Sequence, residues 1–175
     1  MIYFVRHGES QANLDHVYAG QRSNSLLTQT GIEQAHHAAQ DILAKKLTFE
    51  HIICSPLRRS RDTAILIARD IGFDPAEIVT DPRITEYDMG SLTGTPMGKT
   101  SAEIIAPDDA EDVEEFQQRV MTALHDYTRQ TGNTLLVSHA GVSKVIEATR
   151  HHHKPHIFYN LDGYPHGEVT SITLV

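Results

Sequence analysis

Three short, uninterrupted apolar runs at residues 2–5, 51–54 and 134–138 constrain this chain more than any other feature. Each is too short for a helix and lacks the strict alternation of a half-solvated strand. Runs of this kind, rich in β-branched residues and bounded by polar or glycine-containing turns, are strands buried on both faces of a largely parallel sheet. A fourth run at 169–174 predicts a closing strand.

Helical stripes separate these runs. Ile32, Ala35, Ala39, Ile42 and Leu43 fall on one helical face, and Val113, Phe116, Val120, Leu124 and Tyr127 on another. A third stripe, through Ala64, Ile67, Ala68 and Ile71, ends at Gly72, a natural helix stop. At the start of that helix Ser55 is placed to cap and Pro56 to take the first helical position. Strand 51–54 would then turn straight into a helix whose free N–H groups attract anions. The stretch 93–112, with Gly94, Pro96, Gly98, Pro107 and Asp108-Asp109, reads as an irregular excursion over the sheet edge with one short helix near 102–105. The alternation predicts an α/β fold, a three-layer α/β/α sandwich with a central, mostly parallel sheet. At 175 residues, 39% apolar and without an internal repeat or linker, a single domain over 1–175 is expected.

Composition narrows the partners. With 15 basic against 23 acidic residues the net charge is −8, which disfavours nucleic acid and anionic membranes. No stretch approaches the ~20 apolar residues of a membrane span, and the start of the chain lacks a signal-peptide pattern. The single cysteine, Cys54, lies inside an apolar run, so a buried thiol and a reducing, cytoplasmic setting are expected. Four of the twelve histidines crowd into 151–156. That cluster reads as a solvated loop after a helix, because consecutive loop histidines do not present ligands to one point.

Three strand exits carry polar side chains: Arg6-His7, Ser55-Pro56-Leu57-Arg58-Arg59 and Ser138-His139-Ala140-Gly141. In a parallel sheet all three reach one edge, where open α/β sheets keep their ligands. Two imidazoles and two guanidiniums gathered there suit a dianionic phosphoryl group, since arginine forks match phosphate oxygens in pairs. Any one of these residues alone is better explained as a structural histidine or a solvated helix arginine.

Together they carry a resemblance. Arg6-His7-Gly8-Glu9-Ser10 with Asn13, then Ser55-Pro56-Leu57-Arg58-Arg59-Ser60-Arg61-Asp62-Thr63-Ala64, then Glu86 with Gly90, and finally Ser138-His139-Ala140-Gly141-Val142 resemble the ordered motifs of the histidine phosphatase superfamily, also called phosphoglycerate mutase-like. Gly167-Glu168-Val169-Thr170 is similar to the turn into that family's last strand. The resemblance implies a phosphoglycerate mutase-like fold, with His7 as the nucleophile that accepts the phosphoryl group. Arg6, Arg59 and His139 would hold its equatorial oxygens, and Asn13 and Ala140 would complete the phosphate-binding set. Glu86 would protonate the departing oxygen, with Asp88 as the second choice, while Arg58 would face solvent or the pocket rim.

Elementary chemistry agrees with these roles. Phosphoryl transfer needs an in-line nucleophile, neutralised equatorial charge and a proton for the leaving group. Nearby guanidiniums disfavour protonation of His7 and keep it nucleophilic, and a positioned acid contributes roughly 10²- to 10⁴-fold. No metal and no cofactor is called for. The expected partner is a small phosphorylated substrate, with a phosphorylated protein as a further option; surface stripes and edge strands do not specify an oligomeric state.

The chain departs from the family pattern at Asn24-Ser25-Leu26-Leu27-Thr28, where an aspartate and a proline are usual, while Leu27, Thr28 and Gly31 match. This reads as a modified loop and helix start that handles no phosphate. Tyr87-Asp88 stands where the mutases carry basic residues, and Asp88 would repel a second anionic group on the substrate. With Lys99 as the only base of its excursion, the chain points to a substrate with few charges beyond the phosphate. The 94–111 segment is also short beside the enclosing insertions of the mutases, and an open site admits water. A metal-independent, acid-type phosphomonoesterase is therefore expected ahead of a phosphoglycerate mutase, and both ahead of a catalytically weak phospho-ligand binding module.

Overall fold

A computed structural model describes residues 1–151 and 160–173. The three buried runs form β1 (Ile2–Arg6), β2 (His51–Cys54) and β4 (Thr134–Ser138), all parallel, with β4 between the other two. The two-residue β3 (Val79–Thr80) extends the sheet beside β2, and β5 (Val169–Ile172) pairs antiparallel with β1, giving the order β3-β2-β4-β1-β5. β3 is absent from the sequence reading because two exposed residues bear no periodic signal.

A one-turn helix, α1 (Gln11–Leu14), follows β1. Each central strand alternates its side chains between two apolar layers. Phe4, Ile53 and Leu136 face α5 (Val113–Thr128) and α6 (Ala140–Arg150); Val5, Ile52, Cys54, Leu135 and Val137 face α2 (Gln29–Ala44) and α3 (Arg58–Ile71). That is the three-layer α/β/α sandwich expected. In α2 the buried face runs through Ala35, Ala38, Ala39 and Ile42. Leu43 lies about 100° further round and is 52% exposed, against its assignment to the core stripe.

The register brings the strand exits level. Arg6 pairs with Ser138 and Cys54 with Val137. The chain leaves β1 with the His7 N–H on the Ser138 carbonyl (2.9 Å), and leaves β2 with the Ser55 N–H on the Val137 carbonyl (3.1 Å). Arg6-His7, Ser55 and His139 thus meet at one edge.

Two local expectations change. α3 starts at Arg58 with Leu57 as its N-cap, so Ser55 and Pro56 lie outside the helix. Ser55 is diverted because its hydroxyl contacts His139 Nε2 (2.7 Å), a partner 84 positions away that no local capping pattern reveals. The first N–H of α3 goes instead to the Asn24 side chain (3.0 Å), and Ser25 accepts from Ala12 (2.9 Å). The modified 24–28 loop is a helix-capping device, completed by Thr28 as N-cap of α2. The excursion contains the short α4 (Ser101–Ile105), opened by a Thr100/Glu103 capping box. It is tied down on segment 16–18 by Gly94→Tyr18, Tyr18→Thr95 and Met97→His16 backbone bonds. The histidine cluster lies outside the described residues except for His151, which ends α6 and is exposed.

Candidate active site

The loop after β1 is shaped by two glycines. A Cβ on Gly8 would fall 2.1 Å from the Gly31 carbonyl oxygen, and one on Gly31 would fall 2.0 Å from the Glu9 carbonyl oxygen. Glycine at both positions lets the loop rest directly on the start of α2. Thr63 accepts the Gly8 N–H (3.0 Å), and Gln34 accepts the Glu9 N–H (2.7 Å).

His7 hangs from this loop, 3% exposed. Its Nδ1 lies 2.7 Å from the Gly8 carbonyl, which can only accept, so Nδ1 carries the proton. The Nε2 lone pair is then left over, and Arg59 Nε donates to it (3.2 Å). The other arms of Arg59 donate to the carbonyls of Ser23 and Gly20, both at 3.0 Å. Arg6 donates from Nη1 to the Tyr164 carbonyl (3.1 Å), while its Nε is buried without a partner among the described residues. Among the described residues neither guanidinium is ion-paired with a carboxylate. A buried Arg59 and a partly buried Arg6 around a neutral imidazole form an anion-accepting centre.

Burial, followed by the charges of Arg59, His166 and Arg6, holds His7 well below its ordinary value of 6.5. His139 is lowered in the same direction, first by burial and then by Arg59. Burial and Arg6 bring His166 down to about 4, and burial draws Arg59 down to about 10, still a cation at neutral pH. The rings of His139 and His166 lie 5.1 and 5.4 Å from that of His7. Three histidines that stay neutral when folded and gain protons when unfolded make the fold acid-sensitive. The unfolded chain binds more protons once pH falls below about 6.5, so stability drops from there downward, by up to about 1.4 kcal/mol per pH unit for each such group. Calorimetry near pH 5.5 should therefore show net proton uptake on unfolding, reduced by close to one proton in His7→Asn. An unchanged uptake would mean that His7 is not held neutral.

Glu86 reaches the site from the 3₁₀ turn Pro82–Ile84. Ser138 Oγ donates to the Ile84 carbonyl (2.6 Å), and Arg119 donates to the carbonyls of Arg83, Thr85 and Glu86 (2.8, 2.9 and 3.1 Å). The carboxylate, 8% exposed, accepts the N–H groups of Tyr87 and Gly141 (3.0 Å each) at the start of α6. A side chain at 141 would fill this space, since its Cβ would sit 2.1 Å from Glu86 Oε1.

A cavity of about 270 Å³ opens beside these groups, lined by Arg6, His7, Asn13, Arg59, Glu86 and Ala140. Asn13 Oδ1 is taken by the Ser10 N–H and hydroxyl (3.0 and 2.8 Å), which leaves its amide nitrogen for an anion. His139 is fully buried behind His7 rather than on the cavity wall. The Ser55 oxygen accepts the Leu57 N–H (3.3 Å) and can give its own proton to His139 Nε2, leaving the ring proton on Nδ1, which has no partner among the described residues.

Arg58 is exposed and pairs with Asp62, away from the cavity. Asp88 does not line this cavity and is drawn to Arg22 at 2.9 Å. Lys144, one turn into α6, lines the cavity, so a base outside the excursion of Lys99 stands beside the site. Lys144 and His166 were missed because neither lies inside a recognisable motif. The position of Lys144 four residues after Ala140 was the one available signal. Tyr18, Met97 and Ile104 supply an apolar wall.

The family model for the histidine phosphatase superfamily (branch 1) matches residues 2–175. A probable phosphoglycerate mutase GpmB of Enterobacter sp. (strain 638) is 37% identical over 153 residues, covering 79% of this chain and 68% of that protein. The protein of the same name in Yersinia pestis (strain Pestoides F) is 42% identical over 102 residues, 58% of this chain, and the chain spans only 45% of it. Among solved structures, the α-ribazole phosphatase of Shigella flexneri superposes with a TM-score of 0.77 at 25% identity, over 99% of this chain and 95% of that one.

Proposed function

The chain belongs to the histidine phosphatase superfamily, and from that premise we propose that it hydrolyses small phosphomonoesters through a covalent phosphohistidine on His7. The observation that carries this reading is the Nε2 lone pair of a neutral, buried His7, flanked by two guanidiniums that form no ion pair with a carboxylate among the described residues. In the first step Nε2 attacks phosphorus, the P–O bond to the alcohol breaks, and Glu86 in its acid form gives the departing oxygen a proton. Arg6, Arg59 and the Asn13 amide hold the equatorial oxygens, and His139 supports the His7 ring from behind. In the second step water attacks phosphorus, loses a proton to Glu86, and the P–N bond breaks to release inorganic phosphate. The residues lining the cavity, with His139 behind them, supply every role in this scheme without a metal.

Hydrolysis is preferred because the excursion that covers the cavity is short, with only the five-residue α4, and a short cover admits water to the phosphohistidine. Asp88, held by Arg22 and not lining the cavity, does not bear on this choice. A mutase reading gains from the names of the sequence relatives and from Lys144, a cation able to receive a second anionic group. Phosphoglycerate, in the presence of a chelator, separates the two. Steady phosphate release, blocked by vanadate, is the expected result; rapid isomer exchange without free phosphate would overturn the phosphatase reading, and loss of activity restored by added metal would overturn metal independence.

A further inference from the structure

We infer that His166 is a positioning residue, which fixes the backbone from which the His7 ring hangs. The inference deepens the phosphohistidine reading and rests on it. The His166 ring nitrogen Nδ1 lies 2.6 Å from the His7 carbonyl, an acceptor, so Nδ1 donates. The other end of the same peptide, the Gly8 N–H, is held by Thr63 Oγ1 (3.0 Å). Both ends of the His7–Gly8 peptide are thereby pinned. The next carbonyl along, that of Gly8, is the one that holds His7 Nδ1 and so directs Nε2. Rotation of the first peptide would displace that carbonyl and unlatch the ring. Immediately beside the contact, the Gly167 N–H donates to the Arg6 carbonyl (3.0 Å), so the approach to β5 clamps both residues of the Arg6-His7 pair.

His166 is suited to this as a neutral donor. Its charged and titratable neighbours are Arg6, His7 and Glu9, and burial with Arg6 outweighs Glu9 and keeps the ring uncharged near neutral pH. The ring's one proton is committed to the His7 carbonyl. Asparagine can place an amide N–H in the same position, whereas phenylalanine fills the space and donates nothing.

The test compares wild type, His166→Asn and His166→Phe by two measurements. Nitrogen-15 NMR of the histidine rings reports the His7 tautomer without substrate, and steady-state kinetics use a simple aryl phosphate. Wild type and His166→Asn are expected to keep His7 protonated on Nδ1. His166→Phe is expected to give mixed tautomers and a kcat lowered about 10- to 100-fold with KM nearly unchanged, since small misplacement of a reacting group costs rate rather than binding. A His166→Phe protein with the wild-type tautomer and kcat would overturn the inference, as would a His166→Asn protein as impaired as His166→Phe. If wild type turns over no phosphate ester, the phosphatase reading fails while the NMR comparison still decides the role of His166.

Discussion

His7→Ala should reduce turnover to background, a loss on the order of 10⁴-fold or more, because it removes the atom that takes the phosphoryl group and not merely one stabilising contact. Nothing nearby can replace it. His139 is fully buried and off the cavity wall, and His166 spends its proton on the His7 carbonyl. The anion site should survive, since Arg6 is held by the Tyr164 carbonyl and Arg59 by those of Gly20 and Ser23, none of which involves the His7 side chain. The variant should therefore still bind inorganic phosphate, within about tenfold of wild type by calorimetry. It should also fail to form the acid-labile, base-stable phosphoprotein that wild type yields when quenched during turnover. A His7→Ala protein that retained turnover would sink the phosphohistidine mechanism. A wild type that bound phosphate but never became labelled would instead favour the binding-module reading.

The catalytic half of this site was legible because its residues sit at strand exits, and strands buried on both faces announce themselves as short apolar runs. The topological rule that parallel strands end at one edge gathers Arg6, His7, the Arg58-Arg59 pair and His139, while the choice of Arg59 over Arg58 comes from the family resemblance. What failed depended on contacts distant in sequence. Ser55 reads as a cap from its neighbours, yet His139, brought alongside by β4, takes the hydroxyl. Asp88 reads as a second acid because it follows Glu86 by two residues, but Arg22 from the 16–24 loop turns it outward. His166 and Lys144 are single residues in unremarkable surroundings; only the folded register shows that one meets the His7 backbone and the other the cavity. The sequence is informative where function is carried by chain geometry and silent where it depends on which side chains converge.

Arg59→Lys, conservative by charge, should lower kcat/KM by about 10²- to 10³-fold, the scale seen when one preorganised transition-state donor is lost. Arg59 works as a rigid fork. The Nε–H meets His7 Nε2 while Nη1 and Nη2 are each anchored, on the Ser23 and Gly20 carbonyls, so the guanidinium plane is fixed before any phosphate arrives and the second N–H of each Nη stays available. A lysine ammonium cannot span these three acceptors in a plane, and it is more strongly hydrated, so burying it costs more. It also starts roughly two pKa units lower, and the burial that leaves Arg59 at about 10 would bring a lysine towards neutrality. Geometry and charge would both suffer. Arg58→Lys provides the matched control, because Arg58 is exposed, paired with Asp62 and off the cavity wall, and should stay within about twofold of wild type. The comparison is made with kcat/KM for one phosphomonoester alongside phosphate affinity. An Arg59→Lys enzyme within tenfold of wild type would show that a point charge suffices at this position, and that the anchoring carbonyls of Gly20 and Ser23 serve the fold rather than the reaction.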